Sequence, residues 1–252
     1  MNRTRLHWIL GEDLPKHSAL LEAVPGVGNV GKIVVDALIQ KHPSTLIARL
    51  LHPDMPPHST LDDDGLLTPP SMQVHQVILP DGQYLVTVSG DIQPMTAAGQ
   101  NEVAEAILKL AAKSSTPQFL VLAGLAADVE DKGIHVICAD SGVRGGLEAI
   151  DIPVSRNQPE AGMIGVAGLL VSLSPIHNVP AVALVAETVG ASADVIAANR
   201  LANWIEQAFE LPLQLDLDST EQTARKLLES VEVSGTIEDH LGLAAESDDF
   251  YV

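Results

Sequence analysis

"SALLEAVPGVGNVGKIVVDALIQK", residues 18–41, reads in succession as a strand, a glycine-rich turn and a helix. The run Ser18 to Val24 is short and apolar, the segment Asn29 to Lys41 carries a helical period, and Pro43 stops it. The turn between them satisfies two nucleotide-binding patterns at once. Gly26, Gly28 and Gly31 spell G-x-G-x-x-G, while Gly26, Gly31 and Lys32 spell G-x-x-x-x-G-K. A phosphate loop also needs a hydroxyl for magnesium after its lysine, and here Ile33 follows. A dinucleotide loop needs an acidic residue about twenty positions on, at the end of the next strand. That strand ends in "LLHPD", with Asp54 beyond a proline. Two readings stay open: a phosphate or nucleotide held at Gly26, Gly28, Asn29, Gly31 and Lys32, or glycines that allow a sharp turn and close helix-strand packing.

Outward from this unit, short apolar runs keep alternating with helical stretches, which predicts an α/β fold with a parallel or mixed sheet covered by helices. "TLIARLL" is the next strand, and a stretch rich in Pro and Asp, residues 52–70, reads as a loop. "VHQVIL" and "YLVTVS" form a hairpin across Pro80-Asp81-Gly82. A helix starts near Ala98 and places Val103, Ile107, Leu110 and Ala111 on one face. "QFLVLAG", "GIHVICA" and "AVALVAE" are apolar enough for buried strands, with "MIGVAGLLVSL" a helix whose Gly165 and Gly168 permit close approach to a neighbour. The segment 193–211 is amphipathic, with Ala198, Leu201, Ala202 and Ile205 on one stripe, and Pro212 ends it. Ser219 and Gln222 make a capping-box pattern for a last helix to about Ser230. One domain over 1–233 is expected, followed by an acidic, mobile tail over 234–252.

Composition narrows the partners. Fourteen Lys and Arg against thirty-three Asp and Glu give a formal charge of -19, which repels a phosphate backbone and argues against nucleic acid. No apolar run is long enough for a bilayer, and the first residues lack the apolar stretch of a signal peptide, so no membrane partner and a cytoplasmic location are expected. Aromatic residues are 3% of the chain, so aliphatic side chains must build the core. Cys138 is the one cysteine, and no internal disulfide can form.

Candidate chemistry is sparse. His52, Asp54 and His58 are interrupted by prolines and lack the spacing of a zinc site, so no metal is expected. His135 and Cys138 are an odd number apart on a strand and face opposite ways. Asp91 and Glu187 stand at strand ends, where α/β folds gather ligand-contacting groups; the alternative for Glu187 is a carboxylate bonded to the next helix N-terminus. Phe250-Tyr251-Val252 is a signal of another kind: an apolar ring, a penultimate tyrosine and a free carboxylate suit capture in a pocket.

Three blocks, "LLEAVPGVGNVGKIVVDALI", "SGDIQPMTAAGQNEVAEAIL" and "GMIGVAGLLVSLSPIHNVPAVALVAETVGASADVIAANRLANWIEQAFELPLQLD", occur in the order seen in the proteasome assembly chaperone family, particularly its archaeal members. The resemblance spans Leu20 to Leu217. It implies a three-layer αβα sandwich similar to the nucleoside phosphorylase/hydrolase-like fold, a homo-oligomer, no catalysis and no cofactor. Phe250, Tyr251 and Val252 resemble the hydrophobic-Tyr-any ending that docks between α subunits of the proteasome core particle. The resemblance therefore implies an assembly chaperone or activator-like protein. The alternative is a small-molecule enzyme or nucleotide-binding protein on a phosphorylase-like fold, a group sometimes labelled ATP-grasp.

Overall fold

The computed structural model describes residues 2–62, 64–128, 130, 132–190 and 192–217. In chain order the elements are β1 (Arg5–Trp8), β2 (Ala19–Ala23), a 3-10 turn (Val27–Asn29), α1 (Val30–Lys41), β3 (Ser44–Leu51), β4 (Thr60–Leu61), β5 (Leu67–Thr68), β6 (Met72–Ile78) and β7 (Tyr84–Ser89). There follow α2 (Ala97–Lys113), β8 (Phe119–Ala126), β9 (Ile134–Cys138), α3 (Ser141–Glu148), α4 (Gly165–Leu173), β10 (Ala181–Thr188) and α5 (Val195–Phe209). The predicted helix from Ser219, the tail from residue 234 and Phe250-Tyr251-Val252 lie outside the described residues.

Eight strands form one mixed sheet in the order β1-β3-β6-β7-β2-β8-β10-β9. The neighbours β7, β2, β8 and β10 are parallel, whereas β1, β6 and β9 run against their neighbours. Because β3 and β7 each lie antiparallel to β6, the carboxyl ends of β2, β3, β7, β8 and β10 all reach one edge of the sheet. That edge collects the glycine turn and the loops before α2 and α5.

Strand alternation divides the core. Ala19, Leu21 and Ala23 of β2 face α1 and α5, while Leu20 and the adjoining Val24 face α2 and α4. β10 is covered on both sides, and so all but one of its side chains are buried, as a continuous apolar run demands. The result is a mixed α/β fold with helices on both faces of the sheet.

Two local expectations change, and two elements appear that the sequence did not signal. The run "GIHVICA" reads as a buried strand, but β9 is an antiparallel edge strand with one neighbour among the described residues, and only Val136 on it is fully buried. β1 is too short to show a period, yet its Leu6 and Trp8 pack on the core while Arg5 and His7 face solvent. α3 escapes sequence reading because three of its eight residues are glycine, and its start is fixed by Asp140, whose carboxylate accepts the Val143 N–H at 2.9 Å. Gly168 is required by its own chain rather than by a neighbouring helix, since a Cβ there would stand 2.5 Å from the Met163 carbonyl oxygen. No helix among the described residues is long and apolar enough to cross a membrane.

Candidate functional site

The glycine turn enters the carboxyl edge between β2 and α1, and two of its glycines, Gly28 and Gly31, have separate steric reasons, whereas Gly26 is extended and a Cβ there would make only ordinary contact, 3.9 Å from the Val24 carbonyl oxygen. Gly28 adopts φ +63°, and a Cβ on it would lie 2.5 Å from Thr188 Oγ1. Gly31 presses α1 onto β8: a Cβ there would be 2.4 Å from the Leu122 carbonyl oxygen. Asn29, at φ 47°, ties the turn together. Its Oδ1 accepts from Gly26 N–H at 3.2 Å, and its Nδ2 donates to the Ser192 carbonyl at 2.8 Å across the mouth of the loop before α5. The Gly28 carbonyl accepts from Asp194 N–H at 2.9 Å, a second stitch to the same loop.

Beside this turn is a crevice of about 470 Å³, walled by Val24 to Val27, Leu122 to Leu125 and the segment Met163 to Gly165 before and into α4. It adjoins a wider cleft of about 1060 Å³ between α2, α4 and residues 155–160; Gln100 and Ile164 border both. Among the described residues the crevice lining contains no Asp, Glu, Lys or Arg. Lys32 is turned elsewhere.

Lys32 and Asp36 lie one helical turn apart on α1 and face the β6–β7 hairpin. The Lys32 Nζ donates to Asp36 Oδ2 at 2.5 Å and reaches Asp91 Oδ1 at 3.0 Å. Burial alone would lower its pKa, but the two carboxylates outweigh burial and hold it above the usual lysine value. Around them is a separate cavity of about 190 Å³, bordered by Gln73, His75 and Ser89. His75 and Thr87 are opposite each other across the hairpin, as are Gln73 and Ser89, so four polar side chains occupy positions where a core would be apolar. The Oγ of Ser89, Oγ1 of Thr87 and Nδ1 of His75 are buried without a hydrogen-bond partner among the described residues. Burial, aided by Arg49 and Lys32, pushes His75 down to about 4, leaving its imidazole neutral near pH 7.

Asp91 and Glu187 do not meet. Asp91 follows β7 and Glu187 is the penultimate residue of β10, and these strands are three spacings or about 14 Å apart across the sheet. Glu187 accepts the Gly133 N–H at 2.5 Å and lies 3.0 Å from His135 Nε2, and the Gly133 bond foremost holds its pKa below the ordinary value. Its carboxylate thus fastens the β9 edge, and the cap of α5 falls to Asp194, which accepts from Ala197 N–H at 2.9 Å and from Thr188 Oγ1 at 2.7 Å. His52 and Asp54 are structural too: His52 Nε2 is 3.1 Å from Glu102, and Arg3 grips Asp54 through two 3.0 Å bonds. Among the described residues no group of His, Cys, Asp and Glu is arranged to hold a metal ion.

One residue escaped sequence reading altogether. Glu22, in the middle of "LLEAV", is fully buried on the central strand, and neither carboxyl oxygen has a hydrogen-bond partner among the described residues. Burial pushes its pKa up to about 8, so it is largely protonated at neutral pH. A lone acidic residue inside an apolar strand was the available signal.

The PAC2 family model matches residues 20–233, which takes in the glycine turn, the crevice and every helix described above. The chain belongs to the PAC2 family. This PAC2 protein is 22% identical over 240 residues to an uncharacterized protein of Methanocaldococcus jannaschii, covering 92% of this chain and 88% of that one. Among solved structures it is similar to Pyrococcus furiosus PbaB, an archaeal proteasome activator, with TM-score 0.72, 20% identity and coverage of 94% of this chain and 100% of the other. It is also similar to P. furiosus PbaA, an archaeal homolog of proteasome-assembly chaperone, with TM-score 0.68, 21% identity and coverage of 92% and 99%. A Mycobacterium tuberculosis proteasome-assembly chaperone homologue shares the fold at TM-score 0.63 and 18% identity over 85% of this chain and 94% of that one. At these identities the structural likeness speaks for the fold of the PAC2 body.

Proposed function

We propose that this PAC2 protein binds the proteasome core particle, as an assembly chaperone or an activator-like factor, by inserting its terminal Phe250-Tyr251-Val252 between α subunits. The observation that carries this is the family match over 20–233, joined to a sequence that ends in a ring, a tyrosine and a carboxylate. Two structural neighbours with a proteasome-activator or assembly-chaperone description support the choice of partner. On this proposal residues 1–233 are one body arranged like the nucleoside phosphorylases, and residues 234–252 are the tether that presents the tail. Several copies joined as a homo-oligomer in the cytoplasm would present several tails, and linkage raises the effective concentration of each after the first has bound. Binding, with no covalent step, is then the whole of the chemistry.

The competing phosphate or nucleotide site loses its cation. Lys32 spends its charge on Asp36 and Asp91 in a cavity that does not share the glycine-turn crevice, and each of Gly28 and Gly31 is accounted for by packing. Purified core particles immobilised and challenged with the intact chain and with a chain ending at Asp249 test the proposal. The intact chain is retained and the shortened one loses most of its retention; equal retention of the two overturns it.

A further inference from the structure

The stretch 52–70, expected as a plain loop, instead projects a small arm from the carboxyl edge of the sheet. β4 and β5 pair with Thr60 opposite Thr68 and Leu61 opposite Leu67. A two-stranded ribbon alone is marginal in water, so its own bonds must hold it. Asp62 Oδ1 accepts from Asp64 N–H at 3.1 Å and from Leu66 N–H at 2.8 Å, Gly65 takes φ +76° in the turn, and the hydroxyls of Thr60 and Thr68 are 3.1 Å apart. The base is anchored as well. Met55 and Pro56 are buried, and Asp54 is bonded to Arg3 and to Thr96 at the cap of α2. Pro53, Pro57, Pro69 and Pro70 stiffen the two struts.

What this ordered arm displays is apolar. Leu61 and Leu67, opposite each other on one face, are each 70% exposed, and Leu66 is 65% exposed. Exposed large apolar groups gathered in one place mark a surface that another molecule covers. The same sheet edge carries Met95 and Ile164, also exposed, the latter at 91%. The tip is anionic: Asp62 and Asp64 are exposed and in no ion pair among the described residues, and Asp63 lies between them in sequence. A second copy of a chain with formal charge -19 is a poor match for that tip. An apolar pocket edged by Lys or Arg is a good one.

We propose that the β4–β5 arm is a preorganised docking element that places Leu61 and Leu67 in an apolar, cation-rimmed pocket of a protein partner; resting on the core-particle proposal, that partner is an α subunit, met at a point separate from the pocket of the tail. Order before binding lowers the entropy lost on docking, which is how so small an apolar face contributes useful affinity.

The test measures the dissociation constant for purified core particles of the intact chain, of a Leu61→Ser/Leu67→Ser double variant, of Asp64→Lys and of a Leu61→Met/Leu67→Met control. The serine variant binds at least ten-fold more weakly with an unchanged urea midpoint, the methionine control stays within about two-fold of the intact chain, and Asp64→Lys weakens binding at low salt and flattens its salt dependence. A serine variant that binds like the intact chain overturns the arm and leaves the tail proposal standing, as shown by a chain ending at Asp249 that still loses retention. An intact chain that does not bind core particles overturns both. A serine variant whose own sedimentation mass falls identifies the arm as a contact between copies and overturns the partner assignment.

Discussion

Replacing Gly31 by Ala adds one methyl group at the tightest point between helix and sheet. The new Cβ would stand 2.4 Å from the Leu122 carbonyl oxygen and 2.7 Å from its carbon. Both atoms belong to the backbone of β8, held by parallel ladders to β2 and β10, so neither yields as a flexible side chain would. Relief to ordinary van der Waals contact requires α1 to retreat by about 1 Å, in an interior packed as densely as an organic crystal. The helix buries Ile33, Val34, Val35 and Leu38 at zero exposure, and retreat loosens all of them. Overpacking of this kind costs about 1–3 kcal/mol, against a gain of up to about 1 kcal/mol from exchanging glycine for alanine in a helix. A clash this close with backbone atoms puts the steric cost in the upper part of that range, so it wins, for a net loss of about 1–2 kcal/mol. Gly145→Ala supplies the contrast, because a Cβ there meets nothing within 4 Å among the described residues and only the helical gain remains. Urea denaturation at one protein concentration should lower the midpoint for Gly31→Ala, raise or hold it for Gly145→Ala, and leave the slope unchanged. A neutral or stabilising Gly31→Ala would refute the packing account of the glycine turn and reopen a ligand role for it.

Burial lifts Glu22 from 4.5 to about 8, so the folded chain keeps a proton that the unfolded chain releases; stability falls as pH rises between those values, by on the order of a few kcal/mol. Urea midpoints at pH 5 and pH 8 should show that loss in the parent and little of it in Glu22→Gln; an equal loss in both contradicts the assignment. His75 has the opposite sign: with its pKa pushed from 6.5 down to about 4, the folded state resists a proton that the unfolded state accepts, and stability is lost as pH falls across that window. NMR titration of the His75 ring should find its midpoint near 4, and a midpoint near 6.5 would show an open, hydrated ring. Lys32→Met leaves Asp36 buried without its cation and should cost about 3–5 kcal/mol. Adding Asp36→Asn should restore much of that in a double-mutant cycle, whereas additive losses would show the pair to be uncoupled.

Where local chemistry settles the conformation, the fold was legible. The succession 18–41 reads correctly because an apolar strand, glycines and a helical period each act over a few residues. β10 and α5 were equally plain, the first from an unbroken apolar run and the second from its stripe. Tertiary context decided the rest. β9 has the composition of a central strand but lies at the edge, because nothing local encodes strand order. Lys32 satisfies a phosphate-loop pattern, yet its helical phase aims it at Asp91 and the β6–β7 hairpin. Asp194 caps α5 in partnership with Thr188, which left Glu187 to fasten the β9 edge instead. The arm was hidden because two strands of two residues each are shorter than any period.

Sedimentation of labelled chain with purified core particles tests the central claim most directly when a chain ending at Asp249 and a Tyr251→Ala chain are run beside the intact one. The intact chain should travel with the particle while both altered chains stay near the meniscus at the same concentration. Co-sedimentation of all three to the same extent would show that the particle is held without the terminal tripeptide.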